Sequence, residues 1–314
     1  MFEVGRLPGD YGFGAVVTGL TVDDLDDLGV REALYDLWID KGVLVFKHVQ
    51  GGRDAQLRLS DVFGETVLHP VVAGRIPGAE KLIFLKNKPA SGDIYRVDGE
   101  IRAGHLPWHS DLCYVPEINR GGILRMTKIP SAFGYTGFID QIAAYETLAE
   151  EIKERIEDLE VIYQLDFDAS HKKFGKARIE TIRLNPIAAD LATKLDRYSP
   201  VVHPMVYRQA ETGRKVLNVS PWFATGIYGM ENAEGDALLE RVVNHIEADS
   251  GAYYHHWEIG DMVLWDNWRM LHSAFGIPEG AEREVERSTI KGDYGLGRFV
   301  AGAAADVPDN APEI

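Results

Sequence analysis

The stretch Pro204-Met205-Val206-Tyr207-Arg208-Gln209-Ala210-Glu211-Thr212-Gly213-Arg214-Lys215-Val216-Leu217-Asn218-Val219 holds two short apolar runs around a polar segment. Apolar runs of this length, bounded by turn-forming residues, are typical of β-strands. The segment Glu211-Thr212-Gly213-Arg214 between them can form a tight turn. The stretch therefore predicts a hairpin of two short antiparallel strands.

Similar apolar runs recur along the chain, and several are bounded by Gly, Pro, Asn or Asp. They are Ala15–Leu20, Val43–Phe46, Leu82–Phe84, Ile123–Met126, Tyr135–Ile139, Val161–Tyr163, Met262–Trp265 and Arg287–Lys291. Each of these runs predicts a short strand, and the short connections between them favour antiparallel pairing.

Helical spacing of apolar residues is confined to a few segments. One predicted helix spans about 30–41 and stops at Gly42, and another runs from a capping Asp54 to Phe63-Gly64. A third starts at a capping Asp140 and carries Tyr145, Leu148, Ile152 and Ile156 along one face; a fourth spans about 234–247. Few helices and many short strands predict a mainly β fold with flanking helices, a double-stranded β-helix or jelly roll.

The chain shows neither internal repeats nor linker-like segments, so a single domain over residues 1–314 is expected. The segment from about Ala169 to Tyr198 is polar and poorly periodic. Long connections of this kind often cover a site. We expect this segment to leave the sheets as a lid-like excursion.

The net charge of −16 argues against nucleic acid and against an anionic membrane surface as partners. A local basic pocket for a small anionic organic substrate stays compatible with that charge. Cys113 is the single cysteine, no stretch approaches a membrane span in length, and the opening residues lack the basic start of a signal peptide. These features predict a cytoplasmic protein and leave its oligomeric state open, a homo-oligomer included.

The stretch Trp108-His109-Ser110-Asp111 carries the strongest chemical signal. On an extended strand, His109 and Asp111 would share one face, because side chains alternate. One further imidazole would complete two His and one carboxylate, the ligand set of non-heme Fe(II) oxygenases, although the same set also binds Zn(II) in hydrolases. The pair alone is weak evidence, because the chain has 10 His and the pairs His245/Glu247 and His256/Glu258 compete.

Several fragments resemble the taurine/2-oxoglutarate-dependent dioxygenase family, which includes aryloxyalkanoate dioxygenases. The resemblance covers most of the chain and is carried by Phe63-Gly64-Glu65, His69-Pro70, Trp108 to Asp111, Ala143 to Glu146, His203-Pro204, Thr212 to Lys215, Gly260 to Asn267 and Arg287 to Asp293. The family pattern is His-x-Asp, a Thr or Ser, a distal His and then an Arg. This pattern selects His272 as the third ligand in preference to His255 or His256.

The resemblance implies that His109, Asp111 and His272 bind Fe(II), with 2-oxoglutarate and O2 as co-substrates. Thr136 and Arg283 match the residues that hold the far carboxylate of 2-oxoglutarate. An Arg suits that role physically, because its planar fork gives a carboxylate two parallel charge-assisted hydrogen bonds.

The same resemblance implies a second group of residues, which bind the organic substrate. Arg287, four positions after Arg283, would share its strand face and match a residue that holds the anionic group of the substrate. His69 matches an assisting residue, and Trp222 and Phe223 match aromatic residues on the substrate body. For Arg287, a surface ion pair with Glu284 or Glu286 is the alternative. Departures at Phe133-Gly134-Tyr135 and over residues 86–107 put taurine itself in doubt.

These assignments predict an Fe(II)- and 2-oxoglutarate-dependent dioxygenase with release of succinate and CO2. The expected reaction is hydroxylation of an unactivated C–H bond in a small organic acid, a carboxylate or sulfonate with an apolar body. Desaturation, ring formation and ether cleavage are alternative outcomes of the same chemistry. A non-catalytic jelly-roll binding module is the alternative of a different class.

Overall fold

The computed structural model describes residues 2–68, 74–87, 92–175, 177–195, 198–248 and 251–300. The strands are β1 (Glu3–Gly5), β2 (Ala15–Thr18), β3 (Val43–Phe46), β4 (Thr66–Val67), β5 (Arg75–Ile76), β6 (Ala79–Asn87), β7 (Ile94–Val97), β8 (Glu100–Ala103), β9 (Leu106–His109), β10 (Gly121–Lys128), β11 (Thr136–Asp140), β12 (Glu160–Tyr163), β13 (Ile179–Arg183), β14 (Val201–Pro204), β15 (Val206–Arg208), β16 (Lys215–Leu217), β17 (Ala224–Ile227), β18 (Tyr253–His255), β19 (Met262–Asp266), β20 (Met270–Ala274), β21 (Arg283–Ile290) and β22 (Arg298–Phe299). The α-helices are α1 (Leu28–Lys41), α2 (Gly52–Phe63), α3 (Gln141–Thr147), α4 (Glu150–Ile156), α5 (Pro186–Ala192) and α6 (Ala233–Glu247). None of these helices combines the length and the apolar character that crossing a membrane requires.

The predicted hairpin is confirmed. Strands β15 and β16 pair antiparallel, with Val206 opposite Leu217 and Arg208 opposite Lys215. The first apolar run is divided between two strands, because β14 ends at Pro204 and β15 begins at Val206.

Two sheets face each other and share a core. The larger sheet has the order β1-β2-β3-β19-β10-β21-β6-β5, with β4 also paired to β21; the smaller has the order β18-β11-β20-β9. Their inner faces meet through Val45, Leu124 and Val285 of the larger sheet and Phe138 and Met270 of the smaller. Two facing, largely antiparallel sheets around one core are the arrangement of a jelly roll.

The central strands of the larger sheet are covered on both faces. In β19, Met262 and Leu264 pack beneath the helices, whereas Val263 and Trp265 face the smaller sheet. A strand buried on both sides needs apolar side chains at successive positions. This is why Met262–Trp265, like Val43–Phe46, is an unbroken apolar run.

Helices α1 and α2 pack on the outer face of the larger sheet through residues such as Trp38 and Phe63. The predicted stop at Gly42 is confirmed, since that residue adopts a φ of 74° at the end of α1. The prediction that Asp54 caps α2 is wrong, because Gly51 occupies the N-cap position and Asp54 lies in the first turn. A carboxylate in the first turn still interacts favourably with the helix dipole. Asp54 therefore marks the start of α2 correctly, although it is not the N-cap residue.

The predicted helix after Asp140 is two helices. Asp140 caps α3 as expected and accepts from the backbone N–H of Ile142 at 3.1 Å. The single continuous helix is wrong, however, because Leu148 and Ala149 are extended and separate α3 from α4. The predicted apolar residues on both sides of this break still join one core cluster: Tyr145, Leu148, Ile152 and Ile156.

The described residues of the excursion from Ala169 to Tyr198 include regular structure. Strand β13 pairs antiparallel with β7, and α5 follows with Asn185 as its N-cap. The segment is therefore tied to the small sheet β13-β7-β8. Its action as a lid and the single-domain organisation stay predictions.

A buried ion pair joins three elements near the start of the smaller sheet. The guanidinium of Arg269 donates to both carboxylate oxygens of Asp140, at 2.8 and 2.7 Å. The same guanidinium donates to the carbonyls of Ile39 and Asp40 in the last turn of α1, at 3.1 and 2.8 Å. Because Asp140 also caps α3, the pair links α1, α3 and the strand that begins at Met270.

We expect Arg269→Met to lower the free energy of unfolding by about 3–5 kcal/mol, because Asp140 would keep a buried charge without its partner. Denaturant unfolding followed by circular dichroism measures this loss. Arg58→Met is the control, because its pair with Asp26 is exposed and such pairs contribute about 0–1 kcal/mol. Equal losses in the two variants would contradict the structural role of the buried pair.

Candidate active site

Strand pairing places two imidazoles side by side between the sheets. His109 ends β9 and lies directly opposite His272 of β20. Their ring centroids are 4.1 Å apart, and both side chains are buried. Residues that are far apart in sequence are thus brought into contact by the register of two neighbouring strands.

Asp111 reaches the two imidazoles by a route that the sequence did not predict. Strand β9 ends at His109, so the expectation that His109 and Asp111 share a strand face is wrong. A turn follows, in which Leu112 adopts a φ of 57°. The side chain of Asn267 holds this turn, because it accepts from the Asp111 backbone N–H at 2.8 Å and donates to the Asp111 carbonyl at 3.0 Å.

The three side chains form a donor set for a metal ion. One ligand atom from each of His109, Asp111 and His272 lies within 4.8 Å of the others, and within the described ranges no other group of this kind is found. The Nε2 atoms of His109 and His272 are 3.7 and 3.6 Å from the two Asp111 carboxylate oxygens. His109 Nδ1 lies 2.7 Å from the Pro107 carbonyl, which leaves Nε2 to face the site.

The protonation state of the imidazoles suits metal binding. Burial lowers the pKa of His109, and burial together with the neighbouring His109 lowers the pKa of His272 well below its usual value. Both rings are therefore neutral at pH 7, and a neutral imidazole is the form that donates to a metal. Two neutral imidazoles and a carboxylate with open positions beside them fit Fe(II).

The competing histidines lie elsewhere. His255 is buried and shares a hydrogen bond with the Tyr253 hydroxyl. Its Nε2 lies 3.1 Å from the Asp261 carboxylate. His256 is exposed, with its ring 4.1 Å from that of Tyr135. One of these side chains thus points inward and the other outward, and neither belongs to the donor set.

Arg283 and Thr136 meet between the sheets. Arg283 shares a face of β21 with Val285, which belongs to the common core. Its Nη2 lies 3.4 Å from Thr136 Oγ1, and its buried Nε has no hydrogen-bond partner in the described part of the chain. Burial lowers the pKa of Arg283 to about 10, so the side chain stays cationic at neutral pH. A buried cation with unused donors is suited to receive an anion.

Arg287 lies on the same face of β21, as predicted, and reaches the donor set. Its Nη2 lies 2.7 Å from Asp111 Oδ2, and its guanidinium lies 5.3 Å from the ring centroid of Trp265. A surface ion pair with Glu284 or Glu286 is not formed. Glu286 points to the opposite face of the sheet, where it pairs with Arg53 and Arg125.

The other residues predicted to contact the substrate differ in their distance from the donor set. Phe223 is buried beside the site, with its ring 6.2 Å from that of His109. Trp222 is also buried, but its ring packs edge-on against Tyr95 and under the ammonium group of Lys172. His69 lies outside the described residues.

Sequence reasoning missed three side chains that shape this region. Asn267 holds the Asp111 turn, and Trp257 donates from Nε1 to Thr136 Oγ1 at 3.1 Å. Because Thr136 accepts from both Trp257 and Arg283, its own O–H hydrogen is left for an incoming acceptor. Lys172 is the third. The alternation of buried and exposed side chains that begins at Tyr253 could have shown that Trp257 points inward. No feature of the nearby sequence indicated the position of Lys172.

Comparison with known proteins gives a consistent result. The family model described as "Taurine catabolism dioxygenase TauD, TfdA family" matches residues 3–289. The (S)-phenoxypropionate/alpha-ketoglutarate-dioxygenase of Sphingobium herbicidovorans is 32% identical, over 93% of this chain and 96% of its own length. An alpha-ketoglutarate-dependent 2,4-dichlorophenoxyacetate dioxygenase of a Burkholderia species is 27% identical, over 87% and 92%. The crystal structure of a taurine dioxygenase from Burkholderia xenovorans superposes with a TM-score of 0.71 at 23% identity, over 96% of this chain and 95% of that one. The predicted jelly-roll fold is confirmed.

The donor set makes a direct prediction about metal content. We expect His109→Ala, Asp111→Ala and His272→Ala each to abolish tight Fe(II) binding, because each removes one of three ligands. His256→Ala should retain the metal, since His256 lies outside the set. Iron stoichiometry of the four purified variants measures this. Retained iron in His272→Ala together with lost iron in His256→Ala would contradict the assignment.

Proposed function

Because this chain belongs to the taurine catabolism dioxygenase TauD, TfdA family, we propose that it hydroxylates an unactivated C–H bond of a small organic acid with an apolar body. The chain is an Fe(II)- and 2-oxoglutarate-dependent dioxygenase that uses O2. The observation that carries the proposed substrate class is the pair of arginines on the strand face beside the donor set: Arg287 is buried, and Arg283 is partly exposed with a buried Nε.

His109, Asp111 and His272 are the residues that would hold Fe(II). When bound, the metal with 2-oxoglutarate and O2 supplies the oxidising power to break a C–H bond, with release of succinate and CO2. The protein contributes position and electrostatics. Asn267 holds the turn that carries Asp111, and Pro107 orients the His109 ring, so the donors are arranged before a metal arrives.

Arg283 and Thr136 are suited to hold the far carboxylate of 2-oxoglutarate. The guanidinium of Arg283 is buried with an unused Nε–H, and the Thr136 hydroxyl has its hydrogen to donate. A carboxylate placed between them would accept from both residues. Buried charge-assisted hydrogen bonds of this kind are stronger than neutral ones, and they would fix the orientation of the co-substrate.

Arg287 is suited to hold the anionic group of the organic substrate. Its guanidinium already lies against one carboxylate, that of Asp111, so its charge is directed at the metal site. A substrate carboxylate or sulfonate that pairs with the remaining N–H groups of Arg287 would lie close to the reacting position. Two relatives named above act, by their names, on phenoxypropionate and 2,4-dichlorophenoxyacetate, which combine a carboxylate with an aromatic body.

The apolar body would then lie against Phe223. The Phe223 ring is near that of His109 and also contacts the rings of Tyr114 and Phe167. These aromatic walls would exclude water from the reacting carbon. An assisting role of His69 and a direct contact of Trp222 with the substrate are part of the same proposal. The cytoplasm is the compartment we propose, since Cys113 is a buried free thiol.

The co-substrate assignment is tested by Arg283→Leu. We expect its KM for 2-oxoglutarate to rise roughly 10- to 150-fold, because a charge-assisted bond of about 1.5–3 kcal/mol is lost. Thr136→Val should raise the same constant less, because it removes a single neutral donor. Succinate formation against 2-oxoglutarate concentration measures both. An unchanged KM in Arg283→Leu would remove Arg283 from the co-substrate site.

The substrate assignment is tested on the unmodified protein, since a substitution of Arg287 would also disturb Asp111. We expect an accepted organic acid to bind the anaerobic Fe(II)·2-oxoglutarate complex roughly 10- to 150-fold more tightly than its neutral amide. The amide offers no charge to the remaining N–H groups of Arg287, whereas the 2-oxoglutarate site is untouched. Spectroscopic titration with each compound gives the two affinities. Equal values would remove Arg287 from the substrate site.

A further inference from the structure

A cavity of about 520 Å³ lies beside the edge strand of the smaller sheet. Strand β9 forms one wall, and residues of the segments 169–175 and 177–179 form another. Its lining combines aromatic side chains, which include Trp108, Trp222 and Tyr254, with charged groups. Cavities of this size are typical of small-molecule sites.

The cavity adjoins the donor set without including it. Trp108 and Ser273 line the cavity from the outer face of the smaller sheet, because they alternate along β9 and β20 with the inward-facing His109 and His272. The cavity and the donor set thus lie on opposite faces of this sheet, whose edge strand is β9. Trp222, another lining residue, directly precedes Phe223, whose ring lies beside His109. A substrate whose reacting carbon lies at the metal could extend its body past Phe223 and Trp222, around this edge, towards the cavity.

A largely buried amine faces the aromatic wall. The ammonium of Lys172 lies 4.4 Å from the ring centroid of Trp222 and 5.6 Å from that of Phe223. It donates one hydrogen bond, to the Asp166 carbonyl at 2.6 Å. The Asp166 carboxylate accepts elsewhere, from the Asp168 backbone N–H at 2.9 Å, and pairs with the His171 ring at 2.8 Å. Burial lowers the pKa of Lys172 to about 8, so its charge is costly to keep without an anion.

The charges around the cavity also favour an anion. The cations that line it are Arg102, Lys172, Lys173 and Arg178, against the carboxylates of Asp98 and Glu247. Asp98 accepts from the Arg178 backbone N–H at 3.0 Å, which uses part of its negative charge locally. The protein as a whole has a net charge of −16, but the cavity has an excess of positive charge. An anionic ligand would be attracted to it.

We propose that this cavity is a second subsite for the organic substrate, in which Lys172 receives a second anionic group carried by the apolar body. The inference rests on the proposed function and narrows it to organic diacids: one acid group on Arg287, an aromatic or other apolar body along Phe223 and Trp222, and the other acid group on Lys172. A monoacid would place apolar atoms against a buried ammonium. The site would therefore discriminate against monoacids, because the N–H donors of Lys172 that do not bond to Asp166 would face apolar atoms.

The test uses two probes that differ by a single carboxylate, 3-phenylpropanoate and 3-(4-carboxyphenyl)propanoate. Each is titrated into the anaerobic Fe(II)·2-oxoglutarate complex of the unmodified protein, Lys172→Met and Lys173→Met. Met keeps an unbranched side chain over Trp222 while it removes the charge. Lys173 is the matched control: it also lines the cavity, but its side chain is half-exposed and its ammonium pairs at 3.2 Å with Asp236, which is not a lining residue.

We expect the unmodified protein and Lys173→Met to bind the diacid more tightly than the monoacid, by roughly 10- to 150-fold. Lys172→Met should lose this preference and keep its affinity for the monoacid. A preference that persists in Lys172→Met would overturn the proposal. So would an equal loss of both probes in Lys172→Met, with unchanged 2-oxoglutarate binding and thermal stability, because Lys172 would then support the cavity without recognising the second acid group.

Failure of the proposed function looks different. In that case neither probe binds the unmodified complex, and the organic-acid assignment and the diacid subsite fall together. Binding of the monoacid with no gain from the second carboxylate would overturn the subsite alone, and would leave Arg287 as the anion site.

Discussion

The pairing of β9 with β20, with His109 directly opposite His272, is the constraint on which the site depends. A shift of one residue would turn either imidazole to the other face of the sheet, because side chains alternate along a strand. The register is held by burial, since Phe138 and Met270 of the smaller sheet must face the larger one. The apolar core thus fixes the positions of polar ligands that contribute little to it.

The inner face of the larger sheet contributes positive charge to the site. Arg283 and Arg287 occupy the same face as Val285, and both guanidinium groups are directed at the space between the sheets. Burying two cations there is unfavourable unless anions arrive. Asp111 supplies one of these anions, and the co-substrate and substrate would supply others. An acidic protein can in this way bind anionic ligands, because the positive charge is concentrated where the ligands are needed.

The other face of β21 shows how the same strand serves stability. Glu286 pairs with Arg53 and Arg125 beneath α2, and Ser288 shares a hydrogen bond with Ser60 of that helix at 2.6 Å. Next to His272's strand, the Arg269–Asp140 pair links α1 to α3 and to the start of β20. The strands that carry His272 and the two arginines are therefore each anchored by polar contacts outside the site, which limits their freedom to move when ligands bind.

The sequence by itself determined the strands, the jelly-roll fold and the family, because apolar periodicity and motif spacing are local properties of the chain. It also determined that Arg283 and Arg287 share a face, since alternation follows from strand geometry alone. Only the tertiary structure decided how Asp111 reaches the imidazoles, because its turn is held by Asn267, a residue distant in sequence. The break between α3 and α4, the bond from Trp257 to Thr136 and the position of Lys172 on Trp222 were decided in the same way. Contacts between segments that are far apart in the sequence leave no periodic pattern in it. They are decided by how the segments pack together and not by the local sequence.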